Sequence, residues 1–433
     1  MRSILIAATL LGFGAAHAAG HASPPTIDAA LAQAQRELRP VLIDFSAAWC
    51  YSCYYMATHV LNGDEWNALE SRAVVVESDA DSPDGAHWMQ QLAVKALPAY
   101  VVLNADGTEL GRILAEQSRE KFYAQMNRIL SGTDALDALK KQADDGSAAA
   151  VADVLSSYLA RDQVQRGLDW YAALPAARRM AADGDADAAL WIERLRMEKA
   201  AKAKDDKACI TSAVKVLAGH VGCDRYYVLE TLLGCSEKLP LPKRKSVLEP
   251  QRPALGALLS KQVFIDPPEC ADQRTAVIVA ADLDKAIGDS NAETSVLDHA
   301  IANARQRLGD DLGKDRNLAD NLRVYLVRAK RMDEVDALMP RLMAAYPDDY
   351  VYAYRFGRSL LERGKPAEAL PYLEQAADKA FGINRLTVAT FRVQALLALH
   401  RRADAEAVVA ETLRQNGPWF PEQAAKFKAA LKS

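Results

Sequence analysis

The rhythm of apolar positions changes once along this chain. Up to about residue 131, short apolar runs alternate with segments of helical spacing, whereas beyond Gly132 nearly every segment repeats its apolar residues every three to four positions. In the first part, residues 27–38 have helical spacing, and Val41-Leu42-Ile43-Asp44-Phe45 opens an almost uninterrupted apolar run over 41–47, the pattern of a strand buried on both faces. A helix over 51–60, a β-branched strand over 73–77, a helix over 87–94 and a strand over 99–103 follow. Asp106-Gly107 with Thr108 predicts a tight hairpin into a strand over 109–113. Ser118 caps a last helix over 119–130, with Lys121 standing where the Glu of a capping box would be. These elements predict an α/β domain over residues 26–131.

Downstream, segments rich in Ala, Leu, Glu, Lys and Arg are separated by Asp144-Asp145-Gly146, Asp183-Gly184-Asp185 and Gly309-Asp310-Asp311. This predicts an all-α region of helical hairpins over 132–317. From 318 to 433 a repeat emerges. Lys330-Arg331-Met332-Asp333-Glu334-Val335 is echoed by Gly364-Lys365-Pro366-Ala367-Glu368-Ala369, and Val335 and Ala369 are 34 residues apart. Gly357, Leu360, Gly364, Ala369, Leu373 and Ala376 supply the small and apolar positions, and Pro347 closes the earlier copy. A degenerate third copy spans 385–413, with Ala395 and Ala407 at small positions. The segment resembles tetratricopeptide repeats, and Trp419, Phe420 and Phe427 are expected to cap the stack. Such stacks usually bind proteins or peptides; the alternative is a scaffold that only packs on the preceding domain.

A chain of 433 residues accommodates two or three domains, and a formal net charge of −4 argues against non-specific nucleic-acid binding. Arg2, the apolar stretch 4–16 and Ala16-His17-Ala18 read as a signal peptide over 1–18, with a linker over 19–25. An uncleaved anchor is the alternative. The signal has a bacterial look, so the expected address is the periplasm, where disulfides persist.

The chemistry concentrates in Trp49-Cys50-Tyr51-Ser52-Cys53, immediately after the first apolar run. Two cysteines with two residues between them, where a strand hands over to a helix, form a reversible dithiol. Cys50 is the candidate nucleophile and Cys53 the resolving thiol. A static disulfide or half of a zinc site are the alternatives. No second Cys-x-x-C or His pair stands nearby in sequence, so no metal and no cofactor are expected.

The run VLIDFSAAWCYSC, followed by LPAYVVLNADGTELGRI, resembles a thioredoxin-fold domain, and is most similar to the C-terminal domain of bacterial periplasmic thiol:disulfide interchange reductases. The fold class expected is therefore an α/β thioredoxin fold followed by an all-α, tetratricopeptide-like solenoid. The resemblance implies that Asp44 is a buried carboxylate with a raised pKa that relays the proton of the resolving thiol. It implies that Leu97-Pro98 is a cis-proline, leaving the Leu97 backbone to pair with an extended substrate, and that Trp49 borders the substrate. Tyr51, Tyr54 and Tyr55 add aromatic surface: a client-docking patch, or shielding of the sulfurs with Tyr55 in the core. Tyr51 is assigned with Trp49 to substrate binding. The expected partners are client proteins bearing disulfides, a soluble or membrane-bound thiol electron donor, and a protein or peptide ligand of the repeats. The dipeptide Tyr51-Ser52 has no Pro or Gly, and Tyr54 stands where thioredoxins often have Lys, so reductant, oxidant and isomerase all remain open. The competing reading is a non-catalytic interaction or assembly factor with a vestigial redox domain.

Cys209, Cys223, Cys235 and Cys270 remain, an even number that allows three pairings. Cys209 and Cys235 are symmetric about Gly222, a turn between antiparallel helices, whereas a helix over 223–235 would hold Cys223 and Cys235 about 18 Å apart. The expected bonds are Cys209–Cys235 and Cys223–Cys270. A second redox relay is the alternative, though it lacks a Cys-x-x-C.

Overall fold

The structure, a computed structural model, describes residues 24–429. The signal segment and residues 19–23 of the expected linker lie outside it. The first domain comprises α1 (Ile27–Glu37), β1 (Val41–Ser46), α2 (Tyr51–His59), α3 (Gly63–Arg72), β2 (Val74–Asp79), α4 (Pro83–Gln91), β3 (Ala99–Leu103), β4 (Glu109–Leu114) and α5 (Arg119–Leu130). The sheet order is β2-β1-β3-β4. β1 runs parallel to β2 and antiparallel to β3, and β3 is antiparallel to β4. Strand alternation sorts the core into two layers. Leu42, Tyr100 and Val102 meet Tyr55, Met56, Phe122 and Met126 on one face. Val41, Ile43, Phe45, Val74, Val76 and Val101 meet Ile27 and Ala30 on the other. This is the expected thioredoxin fold.

Two local readings differ from the pattern. Helix α3 buries only Leu69, too thin an apolar stripe to declare itself. Helix α4 begins four residues earlier than expected, because Ser82 accepts from the Gly85 N–H and Pro83 occupies the first turn. Gly85 obscured that start; a Cβ there would meet the Asp79 carbonyl oxygen at 2.0 Å.

The rest is helical: α6 (Leu136–Asp144), α7 (Ala148–Ala160), α8 (Val164–Ala173), α9 (Ala176–Gly184), α10 (Ala186–Lys202), α11 (Asp206–Ala218), α12 (Arg225–Ser236), α13 (Leu241–Leu248) and α14 (Arg252–Leu258), then four hairpins. These pair α15 (Gln273–Ile287) with α16 (Ser290–Leu308), α17 (Arg316–Arg328) with α18 (Met332–Ala345), α19 (Val351–Glu362) with α20 (Pro366–Lys379), and α21 (Gly382–Ala398) with α22 (Arg402–Asn416). The echoed motif is a hairpin turn: Lys330, Gly364 and His400 all have positive φ, where the chain reverses. Gly357 is small because a Cβ would stand 2.8 Å from Leu373 Cγ. Helix α23 (Pro421–Ala429) closes the stack through buried Phe420 and Phe427. Trp419 does not cap it: the side chain is 64% exposed.

The helical region is docked onto the first domain. Contacts come chiefly from the first helix of each hairpin, a row held together by α15–α17 and α19–α21 packing. Ala271 enters the apolar layer containing Tyr55. Ala48 packs with Tyr350, Val351 and Ala380. Helix α7 covers the edge strand β4, where Arg161 pairs with Glu109 at 2.9 Å. At Gly382 the approach is backbone to backbone: the Ile383 N–H donates to the Asp81 carbonyl at 3.0 Å, and a Cβ on Gly382 would lie 2.0 Å from that oxygen. Its φ of +54° also disfavours a branched side chain. Gly382→Val is therefore expected to loosen the docking, at a cost of about 1–3 kcal/mol. Limited proteolysis around residues 131–135 should accelerate; an unchanged cleavage rate and scattering radius would refute the contact.

Candidate active site

Cys50 is the N-cap of α2. Its sulfur accepts the Cys53 N–H at 3.1 Å, taking up one of the donors that a helix start leaves unpaired. The two sulfurs are bonded to each other, with Cα atoms 5.2 Å apart. Both residues are buried, packed with Ala47 and bordered by Ala80 and Leu97. A thiolate at Cys50 would face the positive end of the helix dipole.

Below the pair, Asp44 projects from β1 toward α2 and is 6% exposed, with Oδ1 unpartnered. Burial, reinforced by Glu77 beside it in register on β2, pushes its carboxyl up to about 7. A cavity of about 330 Å³ is lined by Asp44, Cys53, Tyr54, Glu77, Asp79 and Tyr100, room enough for water between carboxyl and sulfur. Burial also lifts Asp79 to about 6. Asp81 accepts the Trp49 indole N–H at 2.7 Å, fixing that ring with 41% of its surface open.

The Leu97-Pro98 bond is cis. Leu97 is half-buried against the sulfurs, and among the described residues no backbone hydrogen bond takes up its N–H or C=O. Trp49, Leu97 and the dithiol thus share one side of the site. Tyr51 lies elsewhere. Its ring is covered by the Arg274 guanidinium, 3.6 Å from the centroid, and its hydroxyl lies 3.4 Å from Thr275 Oγ1. The structure sets Tyr51 in the interdomain contact instead of on an open client-facing surface. Tyr54 is buried under Arg316 at 3.9 Å, and Tyr55 is in the core. The aromatic patch therefore reduces to Trp49.

Residues that sequence reasoning missed complete the site. Asn317 donates to the Tyr51 carbonyl at 2.8 Å and to Glu116 at 3.0 Å. Arg355 donates to the Trp49 carbonyl at 3.1 Å. Burial, then the nearby Asp272, holds the Glu116 carboxyl well above its usual range. His59 sits 2.9 Å from Asp315. One signal was available. Asn317, Asp320 and Asn321 fall at i, i+3 and i+4, a polar stripe on the face of α17 that packs inward, and each is at most 1% exposed.

The remaining cysteines are joined as Cys209–Cys235, linking α11 to α12, and Cys223–Cys270. All four border the core of the helical region, apart from the dithiol cluster.

Residues 22–105 match the thioredoxin-like family. The chain is 28% identical over 112 residues to the thiol:disulfide interchange protein DsbD of Ralstonia nicotianae, covering 25% of this chain and 18% of that one. It is 30% identical over 88 residues to DsbD of Yersinia enterocolitica, covering 20% and 15%. The chain thus spans less than a fifth of the length of these relatives. Among solved structures, a thioredoxin from Thermus thermophilus matches with a TM-score of 0.23 at 29% identity, covering 24% of this chain and 83% of that one. A DsbH oxidoreductase matches at 0.24 and 18%, covering 29% and 95%. The first domain is thioredoxin-like by its sheet order and its family match.

A carboxyl that ionises near 4 in the unfolded chain and near 7 in the folded one weakens the fold progressively as pH rises across that interval, and by a constant amount above it. Asp44→Asn should therefore raise the unfolding midpoint at pH 8, by the equivalent of up to about 4 kcal/mol, and change little at pH 4. Thermal scans at the two pH values test this; equal effects at both would contradict a carboxyl whose ionisation burial shifts upward.

Proposed function

We propose that this chain is an exported thiol:disulfide oxidoreductase acting through Cys50 and Cys53. The observation that carries the reading is Cys50 at the N-cap of α2, its sulfur taking the Cys53 N–H, beside a Leu97 whose backbone is free to pair. Export rests on the sequence of residues 1–18, and among the described residues no helix is long and apolar enough to cross a membrane. The domain divisions at 131/132 and 317/318 are part of the proposal.

In the reduced state, the Cys50 thiolate attacks a client disulfide; a new S–S bond joins Cys50 to one client sulfur and the other leaves as a thiolate. An extended client segment would lie between Trp49 and Leu97, pairing with the Leu97 backbone ahead of Pro98. Cys53 then loses its proton through water to Asp44 and attacks the Cys50 sulfur. The second client sulfur leaves, and Cys50–Cys53 closes, the state present here. Two electrons pass to the client, and an external thiol donor restores the dithiol. An oxidant would run the same steps in reverse.

The helical region serves this reading by holding the dithiol loop, since the row of first helices is occupied by the redox domain itself; client or donor proteins would approach the Trp49 side. Cys50→Ala should abolish reduction of insulin disulfides, a loss of well over about 100-fold, since removing an attacking nucleophile can cost about 10⁶-fold. Cys53→Ala should accumulate covalent client adducts. Undiminished turnover without Cys50 would reject the assignment. No trapped partner in the Cys53 variant, with binding retained by the helices, would leave an interaction factor.

A further inference from the structure

Arg355 and Trp49 are 306 residues apart, yet one guanidinium connects the helical region to the peptide that enters Cys50. Its other nitrogen donates to Asp320 at 2.7 Å. Asp320 is wholly buried on α17 and also receives Arg274 at 2.6 Å and Arg323 at 2.8 Å. Three guanidiniums surround one carboxylate, leaving two positive charges in excess. Arg274 carries this cluster to the ring of Tyr51, whereas Arg316, over Tyr54, is paired with Asp349 and adds no excess charge. The network continues from Arg274 to Asn321 at 2.7 Å, from Asn321 to Asn317 at 3.0 Å, and from Asn317 to the Tyr51 carbonyl. The carbonyls on either side of Cys50 are thus both held from the helical region.

We infer that Arg355 is a positioning residue for Cys50: through the Trp49 carbonyl and the Asp320 cluster, the helical region fixes the dithiol loop and biases the pair toward its reduced, thiolate form. The inference rests on the exchange reaction proposed above and extends it to the second domain. The direction follows from elementary electrostatics. A hydrogen bond to the Trp49 carbonyl polarises the peptide that bears the Cys50 N–H. A net excess of guanidinium over carboxylate in a low-dielectric contact favours a nearby thiolate over a thiol or a disulfide. A stabilised thiolate makes the disulfide easier to reduce.

The acids around the loop offset this bias only in part: Asp272 supplies a carboxylate against the two excess guanidiniums, and the others contribute less. Glu116 and Asp44 are held toward their neutral forms, the first by burial and then Asp272, the second by burial and then Glu77. Burial likewise pushes up Asp81, which is engaged by the Trp49 indole. Asp272 faces the cluster as well, with its oxygens on the Thr275 N–H and the Tyr227 hydroxyl. Arg is suited to the bridging position because its fork reaches two acceptors at once.

The test uses the full chain with Arg355→Gln, which removes the charge, and Arg355→Lys, which keeps it. In a Cys53→Ala background, the rate of Cys50 alkylation by iodoacetamide is followed against pH. In the intact dithiol, the equilibrium with glutathione is measured. Arg355→Gln should cut the alkylation rate below pH 7 by about 3- to 10-fold and make the disulfide about tenfold harder to reduce, about 30 mV more negative. Arg355→Lys, which keeps the charge but not the fork, should recover part of both effects. Circular dichroism and the unfolding midpoint report whether the fold is intact. Should Arg355→Gln not fold, Arg323→Gln, which touches Asp320 but not the loop, should give a smaller shift of the same sign. Unchanged alkylation and glutathione equilibrium in a folded charge-removing variant would overturn the inference, as would a Lys variant no better than Gln. Alkylation needs neither client nor donor, so failure of insulin reduction would remove the function while leaving this measurement to stand or fall alone.

Discussion

Two backbone carbonyls, those of Trp49 and Tyr51, accept hydrogen bonds from side chains more than 260 residues away, and the arrangement of both domains turns on them. A loop that ends a strand and begins a helix leaves polar groups that the fold's own ladder cannot use. In an isolated domain water would satisfy them. Here Asn317 and Arg355 do so, and those side chains are in turn fixed by Asp320, Asn321 and Arg274. Each member of the network is oriented by the next. Removing one partner from such a buried ionic cluster typically costs about 3–5 kcal/mol, although the net contribution of the intact cluster is far smaller. Its importance is therefore in defining one relative placement of the two domains.

That placement redistributes the aromatic residues around the sulfurs. Tyr51 and Tyr54 are spent on cation contacts with Arg274 and Arg316, and Tyr55 lies in the core. Trp49 stays open, tethered to Asp81, with Leu97 across the sulfurs. The site is thus closed on the flank that faces the helices, while the opposite flank exposes Trp49 and leaves the Leu97 backbone without a partner among the described residues. Asp44 and its cavity lie beneath, and Tyr54 and Ala48 form part of both the cavity wall and the interdomain contact.

Sequence patterning reached the first domain readily, because a buried central strand, a Cys-x-x-C and an Asp-Gly hairpin are local signals. The same locality explains the gaps. Helix α3 hides only one side chain, and α4 conceals its start behind Gly85. The 34-residue echo in the helices was legible because the hairpin reversal at Lys330 and Gly364 repeats. What the row of first helices binds was not: Asn317, Asp320 and Arg355 acquire meaning only when the fold brings them to residues 49–51. The polar stripe on α17 was visible, but periodicity does not say what faces it. Trp419 misled for a related reason, since a large apolar residue near a chain end need not be inside.

The separation of these contacts along the chain has a consequence for biosynthesis. Translation completes the sheet and its sulfur pair well before α17 or α19 exists. Between those moments the nascent domain carries an ungripped loop, with water on the Trp49 and Tyr51 carbonyls. The chain therefore passes through a juvenile form that has the sulfurs without the arginines, and acquires its adult chemistry only when its last third arrives.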